Sequence, residues 1–124
     1  MSQQIDRLPG MFDSTGEAVA RLGETAGSIG TFLQDRQYAL IDTPVLEETE
    51  LFVRKSGGEM TSRLYSFSDP GGRRVSLRPE FTPSVIRHFL QKRDSVALPA
   101  RWRYVGPVFR YEQSENGGYR QFTQ

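Results

Sequence analysis

The chain has 124 residues, with 16 Lys and Arg against 15 Asp and Glu, and no cysteine. This length is enough for one domain with its own core, and eight Phe, five Tyr and one Trp supply the bulk to fill it. The composition excludes a disulfide framework, a Cys-based zinc site and a disordered chain. The near balance of charge also removes any general electrostatic pull toward nucleic acid, so an RNA contact has to come from a particular site.

The amino terminus, MSQQIDRLPG, has no apolar run behind a basic start, and no stretch reaches the apolar length of a membrane span. A soluble cytoplasmic protein without a membrane partner is expected, and the lack of cysteine suits a reducing compartment.

Residues 8–13 contain Pro9-Gly10 and predict an irregular lead-in. Ser14 or Thr15 is placed to cap a helix whose apolar stripe is Val19, Leu22, Ala26, Ile29 and Leu33, at spacings of three and four. Gly23, Gly27 and Gly30 weaken that helix but allow another helix or backbone to approach closely. Pattern alone favours packing against its own sheet. A short strand is expected over 38–43, ending at Pro44, then a helical turn over 47–52 and a loop over 55–62. Residues 64–68 and 74–78 form strands joined by Asp69-Pro70-Gly71-Gly72, a hairpin signal. Thr82 is expected as N-cap and Pro83 as first helical residue, with Val85, Ile86, Phe89 and Leu90 as the buried stripe. A long strand over 101–112, a polar turn over 113–118 and a return strand over 119–124 complete the chain. Hairpins with intervening helices predict an α+β domain built on an antiparallel sheet with flanking helices.

Two segments carry candidate chemistry. In Leu77-Arg78-Pro79-Glu80-Phe81-Thr82, a carboxylate stands at a strand end just before a helix. Glu80 there is either a charge that stabilises the helix dipole, the reading favoured by local context, or a carboxylate held to receive a substrate ammonium. In the second segment, strand parity puts Arg110 and Glu112 on one face of the outgoing strand and Arg120, Phe122 and Gln124 on one face of the return. A turn centred near Asn116-Gly117 sets Gln124 across from Arg110 and Phe122 across from Glu112. Such a surface is either a solvated strand pair with an ion pair that contributes little, or a ligand face. In the second case Arg110 binds phosphate, Phe122 stacks on a base, Glu112 accepts from an exocyclic amine or orients Arg110, and Gln124 donates to a carboxylate. His88, the only histidine, reads as structural. The chain has no P-loop, nucleophile elbow or His-Glu-x-x-His motif, and no metal-ligating residue is assigned. Catalysis, if present, works by positioning and electrostatic stabilisation.

The order of these segments resembles the histidyl-tRNA synthetases, a class II aminoacyl-tRNA synthetase family. Leu8-Pro9-Gly10-Met11-Phe12-Asp13 is similar to the family's opening, and about 14–46 looks like class II motif 1, which in the family builds the homodimer interface. The segment 77–82 resembles the family's Leu-Arg-Pro-Glu-Gly-Thr, and Tyr104-Val105-Gly106-Pro107-Val108-Phe109-Arg110-Tyr111-Glu112 through Gln124 resembles motif 2, within about 101–124. The resemblance covers essentially the whole chain and implies the front part of a synthetase catalytic domain, incomplete after motif 2.

It implies that Glu80 and Thr82 bind the histidine ammonium and that Arg110 contacts the ATP α-phosphate and the amino acid carboxylate. Glu112 and Phe122 would hold adenosine, Gln124 would touch the bound amino acid, and Mg²⁺ would accompany ATP through its phosphates. Histidine, ATP and tRNA are the implied partners, in a cytoplasmic homodimer. Two departures stand out. Phe81 replaces the family's common Gly, which implies an altered pocket floor, and 113–118 carries no basic residue where the family has Lys or Arg, including Arg at the position of Gly118. These departures motivate a rival, the synthetase-like regulatory subunit of ATP phosphoribosyltransferase. The return strand Arg120-Gln121-Phe122-Thr123-Gln124 favours the synthetase. The isolated chain is expected to be weakly active or inactive.

Overall fold

The computed structural model describes residues 2–54, 58–113 and 118–124. In chain order the elements are α1 (Gly16–Gln34), β1 (Ala39–Leu40), β2 (Leu46–Glu48), α2 (Thr49–Val53), α3 (Gly58–Thr61), β3 (Ser66–Ser68), β4 (Arg74–Leu77), α4 (Thr82–Lys92), β5 (Trp102–Arg103), β6 (Pro107–Phe109) and β7 (Gln121–Thr123). Three ladders result: an antiparallel sheet in the order β2-β4-β3, an antiparallel pair β6-β7, and a parallel pair β1-β5. The expected α+β class holds, while the parallel pair was not anticipated. It joins residues 63 apart in the chain, Ala39 opposite Trp102 and Leu40 opposite Arg103, and local pattern carries no information about such a pairing.

The lead-in is a turn. The Met11 N–H bonds the Leu8 carbonyl at 3.1 Å, and Gly10 takes φ 76, the left-handed value a turn demands after proline. Helix α1 starts after Thr15, whose side chain makes no cap bond. It ends with Gln37 in the left-handed region (φ 66), where the Tyr38 N–H reaches the Leu33 carbonyl and the Gln37 N–H the Gln34 carbonyl. This pair of bonds closes a helix end that glycine normally closes.

The expected packing of α1 on its own sheet is not what the fold does. No residue of α1 is buried, and Val19, Leu22, Ile29 and Phe32 are about half exposed. Periodicity identifies an apolar face but not what covers it. Of Gly23, Gly27 and Gly30, only Gly30 lies against another part of the chain, where an added Cβ would stand 3.2 Å from the Arg103 guanidinium; Gly23 and Gly27 face open space.

The hairpin at 69–72 forms as expected, with Phe67 opposite Val75. The Asp69 carboxylate accepts the Arg73 N–H at 2.8 Å, and Gly72 supplies φ 82. Strand β2 lies where part of a helical turn was expected. Its sequence, Leu46-Glu47-Glu48, has no strand signature, and it is held by pairing with β4. The expected loop over 55–62 contains the helical turn α3, and residues 55–57 lie outside the described residues.

Thr82 does not cap α4. The cap position is Phe81, with no side-chain bond, and Thr82 is already helical with Pro83 behind it. The buried stripe is also displaced. Ser84 is the buried residue and Val85 and Phe89 are half-buried, whereas Ile86 and Leu90 are more than half exposed. His88 is half-buried against the Trp102 ring, with centroids 5.4 Å apart. The long strand expected over 101–112 is divided: β5 pairs with β1 and β6 with β7. Pro107, which has no N–H to donate, follows Gly106 at the break.

The core is small. Phe52, Val75, Phe81 and Val108 are its buried apolar side chains. The buried Ser76 hydroxyl beside them is satisfied by Thr49 at 2.7 Å and Ser66 at 2.6 Å, as a buried polar group requires.

Candidate active site

The site is organised around the backbone of residues 78–81, where β4 runs out and α4 begins. Three separate parts of the chain meet this segment. The Arg78 N–H bonds the Val45 carbonyl at 2.9 Å, and the Arg78 carbonyl accepts the Phe109 N–H at 2.9 Å. The Pro79 carbonyl accepts Arg110 Nε at 2.9 Å, and the Phe81 N–H donates to Gln124 Oε1 at 3.3 Å. Arg110 and Gln124, from the two arms of the hairpin, are therefore both anchored on the short segment that carries Glu80 and leads into Thr82. The Arg110 guanidinium carbon also stands 5.2 Å from the centre of the Phe122 ring. With Nε committed to Pro79, the two terminal nitrogens of Arg110 form the edge suited to an anion.

The predicted pairing within the hairpin is corrected. Val108 lies opposite Phe122 and Phe109 opposite Gln121. The Arg110 N–H bonds the Arg120 carbonyl, and Gly106 and Gln124 exchange both backbone bonds, at 3.2 and 3.0 Å. Phe122 is therefore not across from Glu112, nor Gln124 from Arg110. The assumed turn at 113–118 lies largely outside the described residues, and register cannot be counted from a turn of unknown length. The offset is an even number of residues, so the face assignment survives for Arg110, Phe122 and Gln124. It fails for Arg120, whose Nε bonds the Glu112 carbonyl at 3.1 Å and whose guanidinium lies over the Tyr111 ring. Past the end of the ladder, alternation no longer dictates direction.

Glu112 lies beyond β6 and meets Arg63 at 3.4 Å, with both side chains partly exposed. The Tyr111 N–H also bonds the Arg63 carbonyl, at 2.8 Å. Arg63 is a site neighbour that sequence reasoning missed, since no local signal ties it to a strand end 49 residues away. Arg78 was missed as well. Its side chain is 2% exposed, and it donates from Nε to the Pro107 carbonyl at 2.8 Å and from a terminal nitrogen to the Thr43 carbonyl at 2.9 Å. Burial lowers its pKa, and the Asp42 carboxylate partly opposes that. An arginine nonetheless remains cationic at neutral pH.

Phe81 sends its ring into the core, stacked on Tyr104 at 4.7 Å and lying 4.0 Å from the Arg78 guanidinium carbon. Only its backbone N–H reaches the site residues, so the substitution that suggested an altered pocket floor adds bulk to the core.

The lead-in backs the return strand. The Gly10 carbonyl accepts the Arg120 N–H at 2.9 Å, and the Phe12 and Tyr119 rings pack at 5.0 Å. A cavity of about 300 Å³ lies between α1 and the hairpin, lined by Phe12, Leu22, Tyr119 and Phe122 among others. A larger cleft of about 650 Å³ opens on another face, beside the Arg87–Glu47 pair, and takes in none of the predicted site residues. The convergence of anchored polar groups, rather than cavity volume, locates the candidate site.

The fold recurs in solved structures. That of apo histidyl-tRNA synthetase from Staphylococcus aureus superposes with a TM-score of 0.79 at 30% identity, over 97% of this chain and 27% of that one. A Bacillus halodurans protein described as an ATP phosphoribosyltransferase regulatory subunit/histidyl-tRNA synthetase superposes at 0.85 over 99% of this chain and 31% of its own, and at 24% identity it speaks to fold alone. The architecture is thus part of a class II aminoacyl-tRNA synthetase catalytic domain. The histidyl-tRNA synthetase family model matches residues 10–124. Histidine–tRNA ligases from Natronomonas pharaonis (43% identical over 109 residues, 88% of this chain and 25% of the relative) and Sulfurisphaera tokodaii (36% over 115 residues, 93% and 27%) are similar along nearly all of it. The chain belongs to the histidyl-tRNA synthetase family, and it spans about a quarter of the length of these two relatives.

Proposed function

We propose that the chain forms the front part of the catalytic domain of a histidine–tRNA ligase. The reaction is ATP-dependent activation of histidine to the adenylate with release of pyrophosphate, followed by transfer of the histidyl group to tRNA. The observation that carries this reading is the convergence of Arg110 and Gln124 on the Pro79–Phe81 backbone, beside Glu80 and Thr82, with Phe122 next to Arg110. The carboxylate at 80 is the group to receive the histidine ammonium, with Thr82 beside it. The free edge of Arg110 bridges the α-phosphate and the substrate carboxylate and stabilises the charge that develops between them. Phe122 offers a ring for adenine, Glu112 an acceptor for its amine, and Gln124 a contact to the amino acid. Mg²⁺ would accompany ATP, held mainly through its phosphates, where it would neutralise charge. A cytoplasmic homodimer assembled through about 14–46 completes the reading.

A second reading, a regulatory subunit of ATP phosphoribosyltransferase that binds histidine without charging tRNA, is favoured by the absence of basic residues over 113–118. Histidine-dependent ATP–pyrophosphate exchange by the full-length polypeptide separates the two. Exchange that requires histidine supports the ligase, whereas histidine binding without exchange supports the regulator. Arg110→Ala is expected to lower exchange by about 100-fold or more, the scale of losing one pre-aimed donor; unchanged exchange removes the role given to Arg110.

A further inference from the structure

Arg78 touches none of the atoms proposed to meet substrate, yet it is the most enclosed charged side chain among the described residues. Its guanidinium ties together three segments that are remote in sequence. It bonds the Thr43 carbonyl after β1 and the Pro107 carbonyl at the start of β6, and its face lies over Phe81 at the start of α4. Gly106 is cut to fit it, since an added Cβ there would stand 2.6 Å from the Arg78 terminal nitrogen and 3.1 Å from the Phe81 ring. The next two carbonyl and amide groups along the chain that meet side chains are those of Pro79 and Phe81, which hold Arg110 and Gln124. The placement of both hairpin side chains therefore depends on where the 78–81 backbone sits, and the Arg78 side chain anchors that backbone together with the backbone bonds to Val45 and Phe109.

We propose that Arg78 is a positioning residue, which fixes the 78–81 backbone and through it the aim of the Arg110 guanidinium and the Gln124 amide. Its catalytic consequence rests on the ligase reading; its geometric consequence does not. Lysine at this position keeps the charge, but as a point donor on a flexible stem it cannot hold two divergent carbonyls and a ring face at once.

Arginine-selective ¹⁵N NMR reads the geometry directly. In the unsubstituted protein the Nε–H of Arg78 and of Arg110 should exchange with solvent about tenfold or more slowly relative to that of the exposed Arg101; rapid exchange at Arg110 overturns the proposal without any variant. In Arg78→Lys the Arg110 Nε–H should lose its protection while the core amides keep theirs. Gly106→Ala, which crowds the same guanidinium from the other side, should do the same and serves if Arg78→Lys does not fold. In pyrophosphate exchange each variant should lower kcat about 10–100-fold. The double variant should lose much less than the product of the two, because both act through one group. Retained Arg110 protection with unchanged kcat and only a lower Tm would make Arg78 a core residue and nothing more. If the unsubstituted protein shows no exchange activity but the NMR pattern holds, the ligase reading fails and the positioning role stands.

Discussion

Gly10 shows how much a single position can be asked to do. It takes the left-handed φ of 76 required by the turn after Pro9, and its carbonyl holds the Arg120 N–H. An added Cβ would stand 2.6 Å from Arg120 Cγ and 2.8 Å from the Gly118 carbonyl oxygen. The clash includes backbone, which cannot swing away as a side-chain tip can. Gly10→Ala should therefore destabilise the fold by about 1–3 kcal/mol, read as a lower midpoint in urea unfolding. The clash falls between the lead-in and the return strand, so in the variant the Arg120 amide should lose exchange protection before those of β4. Pro9-Gly10 was legible as a turn from the sequence. That the turn presses on the hairpin more than a hundred residues later was not, because only the tertiary contact makes the glycine obligatory on the side facing Arg120.

At the scale of elements, the end of α1 carries a local conflict. A glutamine occupies the left-handed residue of the helix-closing motif, where glycine has no Cβ to clash. Gln37→Gly should relieve about 1–2 kcal/mol of backbone strain and return part of it as extra disorder in the unfolded chain, for a net gain of about 0.5–1 kcal/mol. A rise in the thermal midpoint with no change in ligand binding checks this; a fall would mean that the glutamine side chain contributes more than its backbone costs. The hairpin elements show the opposite case. The 69–72 turn and both its strands were predictable because Asp-Pro-Gly-Gly dictates its geometry within four residues. Strand β2 and the division between β5 and β6 were not, since each exists through a partner supplied from elsewhere.

For the whole molecule, the exposed α1 face is the largest departure from expectation. Val19, Leu22, Ile29 and Phe32 line a helix with no buried residue, and the apolar stripe reads the same whether it is covered by its own sheet or by a second subunit. The homodimer proposed through this region predicts a concentration-dependent dimer in light scattering. Leu22→Glu with Ile29→Glu should shift it to monomer without loss of helical circular dichroism, because neither side chain contributes to the core. A clean monomer in the unsubstituted protein across the micromolar range removes the dimer proposal. Among the described residues, no helix is long and apolar enough to cross a membrane.

The sequence by itself determined the class of fold, the α1 helix, the 69–72 hairpin and the shared face of Arg110, Phe122 and Gln124, because helix periodicity, turn chemistry and strand alternation are local and survive any even shift of register. It also carried the family, through motifs whose order does not depend on geometry. Only the tertiary structure decided that Gln124 pairs with Gly106, that Arg120 leaves the ligand face, that Phe81 turns its ring into the core, and that a buried Arg78 holds Thr43 and Pro107. Each of these depends on which distant segment arrives to supply a carbonyl, a ring or an empty space, and no pattern confined to neighbouring residues records that.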